Sequence, residues 1–362
     1  MLRLEKRTEP SRLMVYLAPL LALLLTLIAG GLLFMLLDVP VGAAFHAFFI
    51  DPITTTYGLA ELGVKATPLI LIGVALSLGF RAGVWNIGAE GQLVLGGICG
   101  AAVALWFYDV DGFYVLPLML LAGCAGGMAW AAIPALLRTR FNANEILVSL
   151  MLTYVAGLLL SYLVHGPMRD PDGFNFPESR LFHDAAILPV MVPGTRLHIG
   201  ILIALAAVVA GWVLLSRTML GFRLRVAGAA PRAGRFTGFR ESTAIWFSLM
   251  LGGAAAGLAG VMEVSGPIGQ LLPSISPGYG FTAIIVAFVG RLHPVGVLFA
   301  GLLIALSYLG GESAQILLNL PVAVTGVFQG LLLFFLLAAD VLILYRITGR
   351  RRTVATAAGE SR

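Results

Sequence analysis

Long apolar runs separated by short polar breaks organise this chain from end to end. They fall at 13–37, 60–80, 84–107, 113–137 and 146–164, and resume after a polar stretch at 199–215, 244–264, 268–289, 295–309 and 322–344. Each approaches the length of about 20 residues that a helix needs to cross the hydrocarbon core. The pattern therefore predicts an all-α, polytopic membrane protein with about ten transmembrane helices. The eighth run is interrupted near 273–280 by Pro273, Pro277, Gly278 and Gly280. A break of that kind is tolerated at membrane depth only where protein or a watery cavity satisfies the freed backbone groups. The first run follows Arg3, Lys6, Arg7 and Arg12 and is longer than the apolar core of a signal peptide, so it reads as an uncleaved first span. The expected organisation is a short segment at 1–12, a membrane domain over 13–345 and a basic tail at 346–362.

Charge assigns the two sides. With the N-terminus inside and ten crossings, every Lys and Arg except Lys65, Arg169, Arg180 and Arg196 falls on an inner segment or inner helix end. Asp38, Asp51, Asp109, Asp111, Asp170, Asp172, Glu178 and Asp184 lie on the other side. Basic residues mark the cytoplasmic face, so both termini are expected there. The net charge of +5 is then a sidedness code and not a nucleic-acid signal.

Composition narrows the class further. The chain is 59% hydrophobic and 11% charged, whereas a soluble domain carries about 25% charged residues; a soluble enzyme is excluded. Glycine is abundant, 44 of 362 residues, which in a membrane favours close helix packing and helix breaks. Cys99 and Cys124 both lie in apolar runs, where a structural disulfide or a metal cluster is not expected. Only Lys6 and Lys65 are present and neither follows a glycine, so the chain has no phosphate-binding P-loop and cannot be its own ATPase of that type. No H-E-x-x-H, G-x-S-x-G or paired C-x-x-C motif occurs, and the histidines lie at span ends or in loops. Neither a catalytic site nor a metal site is expected.

Two connections are long. The outer one, 165–198, carries five prolines among acidic residues and reads either as a solvated loop or as a docking surface for an external partner. The inner one, 217–242, holds six arginines. Pro231 at a helix start and Gly238 just past its end would make a short cationic helix between glycine turns; the other reading is a basic stretch attracted to anionic lipid.

Intramembrane polar groups are costly and mark pathways by default. The densest set follows Arg81: Asn86, Glu90 and Gln92, among Gly83, Gly88 and Gly91. If the segment is helical, Glu90 lies about 13 Å beyond Arg81. These groups either line a solute pathway or hold helices together, with Glu90 satisfied by Arg81 or by backbone. Asn142, Asn144 and Glu145 read as a helix start, and Glu263 and Glu312 as groups reaching water from outer helix ends.

Four ordered segments carry a resemblance. They are FRAGVWNIGAEGQLVLGG at 80–97, FNANEILVSLMLTYVA at 141–156, AGAAPRAGRFTG at 227–238 and PGYGFTAIIVAFVGRLHPVG at 277–296. Together they are similar to the permeases of ABC importers of the branched-chain/ribose (simple sugar) superfamily, and most like the nucleoside-type branch. The resemblance implies a non-catalytic transport subunit of a bacterial plasma membrane that imports a small polar solute, a nucleoside first and a simple sugar next. It implies a second permease subunit, paralogous or identical, and an extracytoplasmic solute-binding protein or lipoprotein. It also implies a cytoplasmic ATPase that binds ATP and Mg, so no cofactor belongs to this chain. Gly228, Pro231, Arg232, Ala233, Arg235 and Gly238 then form the element that docks on the ATPase. Two other classes remain open: a secondary transporter using Glu90 as a proton or ion site, and a membrane scaffold or receptor without flux.

Overall fold

The computed structural model describes residues 2–6, 12–236, 238–321 and 323–349. The chain is almost wholly helical. In order it forms β1 (Leu2–Lys6), α1 (Arg12–Leu36), α2 (Val41–Phe49), α3 (Thr56–Arg81), α4 (Ala89–Trp106), α5 (Val115–Phe141), α6 (Glu145–His165) and α7 (Gly200–Arg217). There follow α8 (Met219–Ala229), α9 (Pro231–Phe236), α10 (Glu241–Glu263), α11 (Tyr279–Val289), α12 (Pro294–Leu318), α13 (Ala323–Leu344) and β2 (Tyr345–Gly349). Among the described residues seven helical segments are long and apolar enough to cross a membrane: α3 to α7, α12, and α10 with the π turn that extends it to Ile268. Shorter apolar helical stretches are Leu20–Leu36, Val41–Ile53, Tyr279–Val289 and Ala323–Ala339. The chain is a multi-pass membrane protein of the expected all-α class.

Three details depart from the sequence pattern. The eighth run is helical only over Tyr279–Val289; a π turn at Val264–Ile268 and a non-helical stretch occupy the rest. The third run becomes helical only at Ala89, because the chain turns out of α3 at Ala82 and Gly83, whose φ of +75° suits glycine. The distance of 13 Å expected between Arg81 and Glu90 along one helix therefore does not apply. Finally, the short helix α2, which was not anticipated, precedes the second span.

The described chain divides into two compact units. The smaller joins the N-terminal part through Val41 with the chain from Gly326 onward. Within it the aromatic rings of Phe34 and Phe328 lie 5.3 Å apart, and β1 pairs antiparallel with β2, Leu2 opposite Gly349. The ribbon places Lys6 opposite Tyr345, the residue that follows α13. The expected segments 1–12 and 346–362 are only partly visible here, since 7–11 and 350–362 lie outside the described residues.

The larger unit, Gly42–Thr325, contains every intramembrane polar residue considered above. Helix α3 is its most buried span and packs against α7, α10, α11 and α12, while α4, α5 and α10 pack on one another. Glycines set how closely these last three approach. A Cβ on Gly96 would overlap Gly257, one on Gly127 would overlap the Gly253 carbonyl, and one on Gly260 the Leu93 carbonyl. Small residues let backbones approach, and without a hydrophobic drive between helices in lipid, that contact supplies the packing energy.

Candidate functional site

Two broken segments meet inside the larger unit. Helix α4 begins at Ala89 after the irregular turn 82–88, and α11 begins at Tyr279 after the irregular stretch 269–278. Their N-terminal ends touch: a Cβ on Gly280 would overlap the Glu90 amide nitrogen. The buried Glu90 carboxylate (Oε2) accepts the Gly280 N–H at 2.6 Å. The Ser276 hydroxyl accepts from Gly278 N at 3.1 Å and Tyr279 N at 2.9 Å, and its side chain also turns to Glu90. The first amides of α11, orphaned at any helix start, are thus taken up by one serine and one distant glutamate.

Helix α12 serves as a ruler for the depth of this junction. Tyr308 contacts Tyr279, ring centroids 5.7 Å apart, and its hydroxyl lies 2.8 Å from Thr282 Oγ1. Counted along α12 at about 1.5 Å per residue, Tyr308 is about 21 Å from the Pro294 end and about 15 Å from the Leu318 end. The start of α11 therefore lies near the middle of the span. It is a half-helix, running from that depth toward the Pro294 end of α12.

The other two predicted polar residues, Asn86 and Gln92, form a closed pair. Asn86 Nδ2 donates to Gln92 Oε1 at 2.8 Å, and Gln92 Nε2 donates to Asn86 Oδ1 at 3.1 Å. Gly88 N donates to the same Oδ1, and both side chains are buried. The pair staples the irregular turn onto α4. Arg81 is not the partner of Glu90: its Nε donates to the Leu292 carbonyl at 2.7 Å. Trp85, in the same turn, stacks on Phe288 at 5.9 Å and lies tilted against Phe80 at 5.1 Å. The segments 80–97 and 277–296, far apart in sequence, are thereby packed together.

The inner loop folds as its proline and glycine suggest. Pro231 opens α9, the helix ends at Phe236, and Gly238 has a φ of +80°. Pro231 and Arg232 are exposed, as is Gly238; the side chains of Ala233 and Arg235 lie outside the described residues. Helix α8, capped by Thr218, leads into α9, and Arg223 lies over the Phe239 ring at 5.1 Å. Gly228, near the end of α8, presses on the α3–α4 turn: a Cβ there would overlap the Arg81 carbonyl. The loop thus rests on the same irregular turn that leads to Glu90.

On the outer side, the loop after α6 covers the π turn and the stretch after it. Ser179 N donates to Leu271 O at 3.0 Å, Phe182 N to Gly269 O at 2.8 Å, and Leu188 N to Ser265 O at 2.8 Å. Leu271 N returns a bond to Ser179 Oγ, and Gln270 Nε2 donates to Glu178. By sequence this loop reads as solvated or as a docking surface, with no sign of these bonds, because backbone pairing between an irregular loop and an irregular span has no periodic signature. The loop also brings Arg196 to Glu61, its Nε and Nη2 donating to the two carboxylate oxygens at 2.9 and 2.5 Å. Glu61 is buried, and its bonds hold Arg196 protonated. Glu312 does not simply reach water; it pairs with Lys65 at 2.8 Å. His198, buried at the foot of the loop, accepts the Gly200 N–H on Nδ1, and burial pushes its pKa down to about 4.

A multi-pass bundle with two irregular segments meeting at mid-depth, clamped by an outer loop and seated on a cationic inner loop, has the build of a membrane transport subunit. Sequence comparison gives the family: the chain belongs to the branched-chain amino acid transport system/permease component family, matched over residues 58–337. It is 42% identical over 352 residues to a protein of Haloferax volcanii named as a glucose ABC transporter permease, covering 94% of this chain and 92% of that one. It is 31% identical over 330 residues to the guanosine ABC transporter permease NupP of Bacillus subtilis, covering 90% and 93%. A nucleoside ABC transporter permease of Lactococcus lactis is 26% identical over 302 residues, covering 81% and 83%. The protein is an ABC transporter permease, a non-catalytic membrane subunit.

Proposed function

We propose that this chain is the transmembrane permease subunit of an ATP-driven importer that moves a sugar or a nucleoside into the cytoplasm of a prokaryotic cell, across its plasma membrane. The observation that carries the reading is mechanical. The exposed bracket α8–α9 bears arginines without an acidic residue between Arg217 and Arg240, and Gly228 seats it on the turn that leads into α4 and Glu90. A partner ATPase with an acidic groove pairs with such guanidinium groups, and its movement reaches the mid-membrane junction through packed backbone. A second permease subunit and an extracytoplasmic binding protein complete the assembly, the latter on the outer loop. Relatives named for glucose and for guanosine support a neutral hydroxylated solute, and Glu90 lies beside its route.

The test is uptake of labelled glucose and guanosine by cells expressing this chain with its ATPase, second permease and binding protein. Deleting 231–238 is expected to abolish uptake while leaving the chain inserted. Uptake that survives the deletion, or that collapses with an uncoupler while ATP is maintained, contradicts the reading; the second result instead favours ion coupling.

A further inference from the structure

Between the outer clamp and the start of α11, a short stretch of backbone is exposed where lipid cannot accept it. Pro273, Ser274 and Pro277 are exposed on the chain, and Leu272 and Ser276 partly so. Ile275, buried between them, reaches the level of Gly97 and Val264, inside the span. Among the described residues no protein group accepts the backbone N–H of Leu272, Ser274, Ile275 or Ser276. Unpaired amides at this depth cost several kcal/mol each against hydrocarbon. An α-helical face such as that of α6 has no such constraint, because its backbone is satisfied internally.

From this we infer that the face formed by Pro273, Ser274, Ser276 and Pro277 lines a water-filled solute pathway, and that its free amides take oxygen atoms of a neutral, hydroxyl-rich solute. The inference rests on the permease reading and deepens it. The surroundings set the charge class. A half-helix start is normally an anion site, but here the Glu90 carboxyl already occupies it at Gly280 N. The nearby cations are also engaged, Lys65 by Glu312 and Arg196 by Glu61. A solute carboxylate or phosphate finds no counter-charge on this face, whereas hydroxyl and ring oxygens need only N–H donors. Asn86 and Gln92 are buried and bonded to each other rather than to this face.

Thiol accessibility in the assembled transporter tests this without knowledge of the solute. Cys99 and Cys124 are first replaced by alanine, and Ser274→Cys, Pro273→Cys and the control Leu158→Cys on the exposed face of α6 are introduced singly. Each is treated with cationic, neutral and anionic methanethiosulfonates, with rates normalised to a free thiol. Ser274→Cys and Pro273→Cys are expected to react, with the anionic reagent at least tenfold slower than the neutral one, and Leu158→Cys to stay silent. Silence at both positions in an assembly that still takes up solute overturns the pathway face. Equal rates for the anionic and neutral reagents overturn the charge selection. Failure of the permease reading is separate: the chain then fails to form an assembly with an ATPase that hydrolyses ATP.

Discussion

Glu90 and Gly280, 190 residues apart in sequence, share a hydrogen bond of 2.6 Å between a carboxylate oxygen and a backbone amide. The bond closes the N-terminal end of a half-helix at mid-membrane with a side chain from a different broken helix. Each irregular segment thus depends on the other.

Glu90→Ala leaves the Gly280 amide buried without a partner, which costs about 1–3 kcal/mol. Glu90→Gln keeps a neutral acceptor and is expected to retain most of that stability. Thermal unfolding in detergent should rank wild type, Glu90→Gln and Glu90→Ala in that order, with Gly280→Ala at or below the last because its Cβ meets the Glu90 backbone. A Glu90→Ala protein as stable as the wild type contradicts the capping role.

Gly228 has no room for a side chain against Arg81. Gly228→Ala is expected to separate the inner loop from the α3–α4 turn, lowering coupled uptake at least tenfold while the chain still inserts and binds its ATPase. Pull-down of the ATPase together with transport reads the two effects separately. Wild-type transport in Gly228→Ala removes this contact from the coupling route.

Arg196→Ala strands the buried carboxylate of Glu61. Because the arginine side chain is half exposed, the expected loss is about 1–3 kcal/mol and not the larger cost of breaking a fully buried pair. Arg196→Lys should recover only part of it, since an ammonium cannot bond both oxygens in the same fork. Chemical denaturation of the three proteins compares them directly.

His198 gives a pH signature. Its folded pKa, lowered by burial to about 4 from 6.5, means that the unfolded chain binds the proton more tightly. Stability is therefore full above pH 6.5, falls as pH drops from 6.5 to about 4, and is flat below. The shift corresponds to about 3 kcal/mol. His198→Asn, which keeps an acceptor for Gly200 N, is expected to flatten the thermal midpoint across this window. An unchanged pH slope in the variant assigns the dependence elsewhere.

Much of the fold was legible because its signals are local. Apolar run length, set by the bilayer, marked the helices, and Pro231 with Gly238 marked the ends of α9 because each fixes a backbone angle. The same proline and glycine logic located the break in the eighth run. The site was less legible. Asn86, Glu90 and Gln92 stood out together by polarity alone, yet two of them bond each other and the third caps a helix that begins at Tyr279. Nothing in the spacing of the residues distinguishes those outcomes, since both partners of each bond are polar in either case. The outer clamp on Leu271 and Gly269 was invisible for a related reason: its bonds use backbone groups, which every sequence carries.

The sequence by itself determined that this chain lives in a membrane, how its apolar runs are divided and which loop carries cationic charge. Those properties follow from transfer energies and backbone preferences that act residue by residue. Tertiary structure alone decided which broken ends meet, which polar groups satisfy one another and which backbone amides are left without partners. Those outcomes depend on atoms brought within about 3 Å from distant parts of the chain, a distance over which hydrogen bonding is decided and about which linear order carries no information.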